Sequence, residues 1–154
     1  MNSTGSIKQN KISLFFSIAF IILVMSCSNS NNKHIGEWIA TDNFSKLGII
    51  LDKDNNAVLY FANEVIGGDN FKINGVKTEV KYEIDYTKNP IWLDIVIYDT
   101  GENRKERRIK GIVRFISDNK MQYRMNFNQY ANRDESFEID NGEESFILNR
   151  VFEH

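Results

Sequence analysis

From Ile35 onward the chain alternates apolar and polar residues in short runs, and no segment sustains a helical period. The first runs are Ile35–Thr41, Leu47–Leu51 and Ala57–Ala62, the last two joined by Asp52-Lys53-Asp54-Asn55-Asn56, a turn by its chemistry. Gly67-Gly68-Asp69-Asn70 breaks the chain again. Phe71-Lys72-Ile73 and Val76-Lys77-Thr78 flank Asn74-Gly75, two residues that favour positive φ, so a tight hairpin is expected there. Alternation then becomes strict: Val80, Tyr82, Ile84 and Tyr86 share one face and Glu79, Lys81, Glu83 and Asp85 the other. In Ile91–Asp99, Ile91, Leu93, Ile95 and Ile97 form one face, while Trp92, Val96 and Tyr98 make the opposite face unusually apolar around Asp94. Arg107–Ile116 places Ile109, Gly111, Val113 and Phe115 together. Met121, Tyr123, Met125 and Phe127 follow, opposed by Lys120, Gln122, Arg124 and Asn126. Ser136–Ile139 is a further candidate strand, and Ser145–Phe152 is the last. Short strands joined by short turns predict an all-β, antiparallel up-and-down meander of eight to ten strands, closed on itself so that no edge stays exposed.

The first 26 residues follow a different pattern. Lys8 and Lys11 form a basic start, and Ile12 to Met25 is apolar except for Ser13 and Ser17. That run is shorter than the ~20 apolar residues of a bilayer-spanning helix and reads as a secretory signal over 1–26. Leu23-Val24-Met25-Ser26-Cys27 resembles the bacterial lipobox, with an aliphatic residue at minus three and a small one at minus one. The resemblance implies that Cys27 is lipidated on sulfur and becomes an acylated N-terminus, with palmitate-type chains. The competing reading is an ordinary signal peptide with an incidental or buried Cys, but the only Cys of the chain falls where a lipobox requires it. Two or three acyl chains hold a protein firmly on a membrane, at ~0.8 kcal/mol per buried CH2. Residues 27–34 then read as the lipidated Cys and a flexible polar tether, and 35–154 as the folded domain. The expected location is the bacterial cell envelope, anchored to a membrane on its periplasmic or outer face.

Composition narrows the chemistry. One Cys excludes a disulfide framework and a cysteine-cluster zinc site, and two His residues, His34 and His154, are too few for a His-rich metal site. The net charge is −2, and −4 once residues 1–26 with their two lysines are set aside, the wrong sign for a nucleic-acid partner. No cofactor motif is present. Asp52–Asn56 starts like a calcium loop, but Ala57 stands where such a loop needs Gly and Asn63 where it needs Glu. Gly67-Gly68 precedes no helix, so a turn is the reading. Arg104-Lys105-Glu106-Arg107-Arg108 could hold an anion, but a charged strand entry that discourages edge pairing is favoured. Neither His is placed to serve a nucleophile, and pairs such as Asp94 with Glu83 or Asp85 are expected by chance among 21 acids. An enzyme is not expected.

Gly36 and Trp38 on the first strand, Arg150 on the last and the meander between them resemble the lipocalin and lipocalin-like barrels, from Ile35 to about Phe152. Asn89-Pro90-Ile91-Trp92-Leu93-Asp94-Ile95 followed by Lys110-Gly111-Ile112 is similar to the central hairpin of bacterial lipocalin-like lipoprotein domains. The resemblance implies that the Trp38 indole plugs one barrel end beneath the Arg150 guanidinium. A Thr-Asp-Tyr-type turn, a C-terminal helix and a disulfide, found in larger lipocalins, are missing, which suggests a smaller barrel. Tyr82, Tyr98, Phe115, Met121, Tyr123 and Met125 are the candidate pocket residues for a small apolar or amphipathic ligand; in a filled barrel they are core. The alternative function is a non-enzymatic interaction or inhibitor module engaging an envelope protein, with Trp92 and Tyr98 as an outward apolar patch.

Overall fold

A computed structural model of the chain describes residues 32–40, 47–61, 64–100, 106–138 and 145–152. The chain divides into two compact units, Met1–Asn32 and Lys33–His154, and the second is the β domain. The signal segment, Cys27 and most of the tether lie outside the described residues. Folded structure begins before Ile35: Lys33 belongs to the β unit, and His34 is buried in it.

Among the described residues, ten strands form one antiparallel sheet: β1 (Gly36–Ala40), β2 (Leu47–Leu51), β3 (Ala57–Phe61), β4 (Glu64–Gly67), β5 (Lys72–Ile73), β6 (Val76–Asp85), β7 (Ile91–Asp99), β8 (Glu106–Ser117), β9 (Lys120–Asn126) and β10 (Ser145–Arg150). The sheet order is β4-β3-β2-β1-β10-β9-β8-β7-β6-β5, an up-and-down meander in which β1 pairs with β10. The sheet curls through 318°, consistent with a lipocalin-like barrel. The seam falls between β4 and β6 rather than between the first and last strands. It is bridged by the Tyr82 N–H donating to the Asn55 carbonyl at 2.9 Å, a single β-bridge between Asn56 and Lys81, and an Asn56–Lys81 side-chain hydrogen bond. Among the described residues no helix is long and apolar enough to cross a membrane.

Period-two alternation decides the core. Trp38, Ile49, Leu59, Val80, Leu93, Ile95, Val113, Met121, Tyr123 and Leu148 point inward into one apolar cluster. Asn74 and Gly75 take φ of 51° and 81°, the conformation a two-residue hairpin needs, and they join β5 to β6. β4 has no counterpart among the expected strands: it is four residues long, and the Gly67-Gly68 break begins at its last residue. Residues 136–138 form no strand, and Ile139 lies outside the described residues. Residues 127–138 instead cross the outer face of β7–β9, where Val96, Ile112, Gln122, Arg124 and Asn126 are buried. Lys110 Nζ donates to the Ala131 carbonyl and Arg124 pairs with Asp134, fixing that crossing.

Candidate functional site

The plugged end of the barrel is built around Trp38. Its indole N–H donates to the His34 carbonyl at 2.8 Å, and the Arg150 guanidinium lies over the ring at 4.2 Å from the centroid. Arg150 also donates to the carbonyls of Lys33, Ile35 and Asp118, which ties the chain before β1 to the turn before β9. Gly36 explains itself here: its φ is +132°, and a Cβ would stand 2.7 Å from the Arg150 Nη1. Gly36, Trp38 and Arg150 therefore meet at one point.

His34 is the residue that sequence reasoning undervalued. It is buried between two phenols, with Nδ1 2.8 Å from the Tyr86 hydroxyl and Nε2 2.9 Å from the Tyr82 hydroxyl. Tyr82 gives its own proton to the Asp52 carbonyl at 2.6 Å. Nε2 must then carry the imidazole hydrogen, and Nδ1 accepts from Tyr86. Burial, followed by the charge of Arg150, holds the His34 pKa below its ordinary value, so the neutral ring belongs to the fold. Burial, then the charge of Asp52, raises the Tyr82 hydroxyl.

Five of the six candidate pocket residues come together inside the barrel: Tyr82, Phe115, Met121, Tyr123 and Met125. Tyr98 does not join them, since it follows Ile97 on the opposite face of β7. The interior hydroxyls are satisfied by the chain itself. Tyr123 donates to the Leu93 carbonyl at 3.2 Å, and its ring lies over Gly111, where a Cβ would approach within 2.6 Å of Cε2. Phe115 sits 6.2 Å from Trp38 and 6.4 Å from Tyr86 between ring centroids. At this end of the barrel the side chains and backbone use each other's polar groups.

The opposite rim is different. Phe61 and Phe127 meet edge-to-face at 5.2 Å, and a groove of about 400 Å³ runs between Ile97, Arg107, Arg108, Ile109 and residues 127–130. Phe127 and Tyr130 are 56% and 87% exposed there. Arg107 pairs with Asp99 at 3.1 Å, and Arg107 and Arg108 both line the groove beside its apolar walls. The connections 41–46, 62–63, 101–105 and 139–144 lie outside the described residues.

On the outer face, Asp94 is buried and bound by two arginines. Arg133 grips both carboxylate oxygens and donates to the Gly111 carbonyl at 2.7 Å, while the Gly111 N–H and Arg108 donate to Asp94 at 3.1 and 3.2 Å. Burial would raise the Asp94 pKa, but these donors hold it below the usual carboxylate value. Arg133 also lies over Trp92, 4.2 Å from the centroid. Of the expected Trp92–Tyr98 patch, Trp92 carries the Arg133 and Lys88 cations over its ring and stays 38% exposed. Glu83, opposite Asp94, is also held by Arg108, so this carboxylate pair is an ion cluster. A lone Asp in an apolar run was the signal that a cation must come from elsewhere; nothing local pointed to Arg133. Asp52 accepts from the Asp54 and Asn56 N–H groups, as a hairpin turn requires. Among the described residues no group of three metal-binding side chains occurs. No family model matches the chain, and no curated protein or solved structure matches it significantly.

Proposed function

We propose that the chain is a lipid-anchored lipoprotein of the bacterial envelope whose lipocalin-like barrel takes a small apolar or amphipathic ligand at its rim. The observation that carries the binding reading is the rim groove, where the inward Ile97 and Ile109 meet the exposed Phe127 and Tyr130. An apolar guest gains from burying those surfaces, and a polar head finds Arg107 and Asp99 at the edge. Depth is limited: Tyr82, Tyr123 and Trp38 have partners within the protein, so a guest lies across the rim and leaves them in place. The anchor reading rests on Leu23–Cys27. The role is non-enzymatic: His34 is enclosed by tyrosines and Asp94 by arginines. Titration of residues 28–154 with a fluorescent fatty acid tests the site. Saturable binding weakened at least tenfold by Ile109→Trp supports it, and unsaturable or unaffected binding refutes it.

A further inference from the structure

The outward side chains of the barrel are unevenly distributed. Along β6 the outward positions Lys77, Glu79, Lys81 and Glu83 are charged, and residues 127–138 cover β7–β9. On the β1–β4 side the outward positions are mostly apolar, with Glu37 on β1 the charged exception. Ile39 stands opposite Gly48, Gly48 opposite Tyr60, and Tyr60 opposite Val65, so one row crosses four strands. On β10 Asn149 stands directly opposite Ile39 and Ile147 lies diagonal to it, while Ile50 opposite Val58 forms the next row, which ends at Glu37 beside Ile50. Ile39, Val65 and Ile147 are 45%, 52% and 37% exposed. Gly48 makes the row continuous: a Cβ would stand 3.3 Å from Ile39 Cγ2 and 3.4 Å from Tyr60 Cδ2, so those side chains close over it.

We propose that this face docks on the lipid surface that carries the anchor, a reading that rests on acylation of Cys27. Two quantities select a bilayer over a free partner. The six residues Ser28–Lys33 span at most about 20 Å, so the start of β1 stays close to the membrane. The rows cover roughly 20 Å across the strands and 15 Å along them, on the order of 300 Å². A stable protein interface needs about 800 Å² per partner. A face too small to hold a free partner suffices for a surface beside which the domain is already confined, because tethering makes docking intramolecular. The aliphatic tips of Ile39, Val65 and Ile147 suit the acyl boundary, and the Tyr60 hydroxyl suits the headgroup level.

The test uses the lipidated protein in vesicles of phosphatidylethanolamine and phosphatidylglycerol with dibrominated acyl chains. A Tyr60→Trp substitution in a Trp92→Phe background supplies a reporter, with buried Trp38 as the internal reference. Brominated chains are expected to quench the added indole at least twofold and to leave a Glu79→Trp reporter unchanged. Adding Ile39→Asp and Val65→Asp should abolish the quenching while the protein still floats with the vesicles. Protein that floats but shows no quenching at Tyr60→Trp overturns the proposal. So does a reporter shielded from both bromine and aqueous iodide in a species of twice the monomer mass, which assigns the face to a second copy. A chain that does not float overturns the anchoring reading, and this proposal with it.

Discussion

Arg150 covers the indole of Trp38 at 4.2 Å and, with the same guanidinium, holds three backbone carbonyls from two separate segments. The two residues are directly opposed in the β1–β10 ladder, so pairing of the first strand with the last and plugging of the barrel end are one event. Trp38→Ala should cost ~3–5 kcal/mol, as for a buried aromatic truncation. Arg150→Ala should cost about 2–3 kcal/mol, more than a cation–π contact alone, because charge-assisted hydrogen bonds are lost with it. Arg150→Lys should rescue little, since a single ammonium cannot span carbonyls set this far apart. Urea titration of the double mutant should give losses that are not additive.

His34 gives the plug a pH dependence of defined sign. Its folded pKa lies below the ordinary value of 6.5, so as pH falls the unfolded chain binds this proton first. The contribution is complete above about pH 6.5 and declines as pH drops from there toward the folded pKa. Unfolding free energy should therefore be lower at pH 5.5 than at pH 7.5. His34→Gln should flatten that difference. An unchanged slope in the variant would assign the dependence to other groups.

Gly111 and Tyr123 share one volume. Gly111→Ala would push a methyl toward the Leu93 carbonyl at 2.5 Å and the Tyr123 ring at 2.6 Å, an overpacking cost of ~1–3 kcal/mol. Tyr123→Phe should not relieve it, because the ring carbon remains. Tyr123→Leu should recover part of the loss when combined with Gly111→Ala, as read by thermal melts of the double variant.

Arg133→Ala should loosen the cover over β7–β9. Breaking a fully buried pair costs ~3–5 kcal/mol; here about 2–3 kcal/mol is expected, because Arg108 still reaches Asp94. The local readout is faster hydrogen exchange across 127–138 and altered Trp92 fluorescence, with β1–β3 unaffected.

How much could be read in the chain follows from which features are local. The inward faces of β6 to β9 were legible because every second residue is apolar, as in Met121, Tyr123 and Met125. The Asn74-Gly75 hairpin was legible because its backbone demand is local. β4 was hidden by its length and by Gly67-Gly68, which read as a break. The crossing of 127–138 has no period at all; it is held by isolated long-range bonds such as Arg133 to Asp94, 39 residues apart. Arg124 and Gln122 were expected to face water, and their burial is tolerated because that segment and Ser145 supply partners. His34 looked like part of the tether because its partners, Tyr82 and Tyr86, lie 48 and 52 residues downstream.

The central claim joins an anchor at Cys27 to a guest at the rim, and native mass spectrometry of protein extracted from its own membrane measures both at once. The expected species is a chain beginning at Cys27, heavier by its acyl groups, that retains one small amphipathic molecule. Ile109→Trp should keep the acyl mass and lose the guest. An unacylated chain, or an acylated one that never carries a guest, would contradict the account.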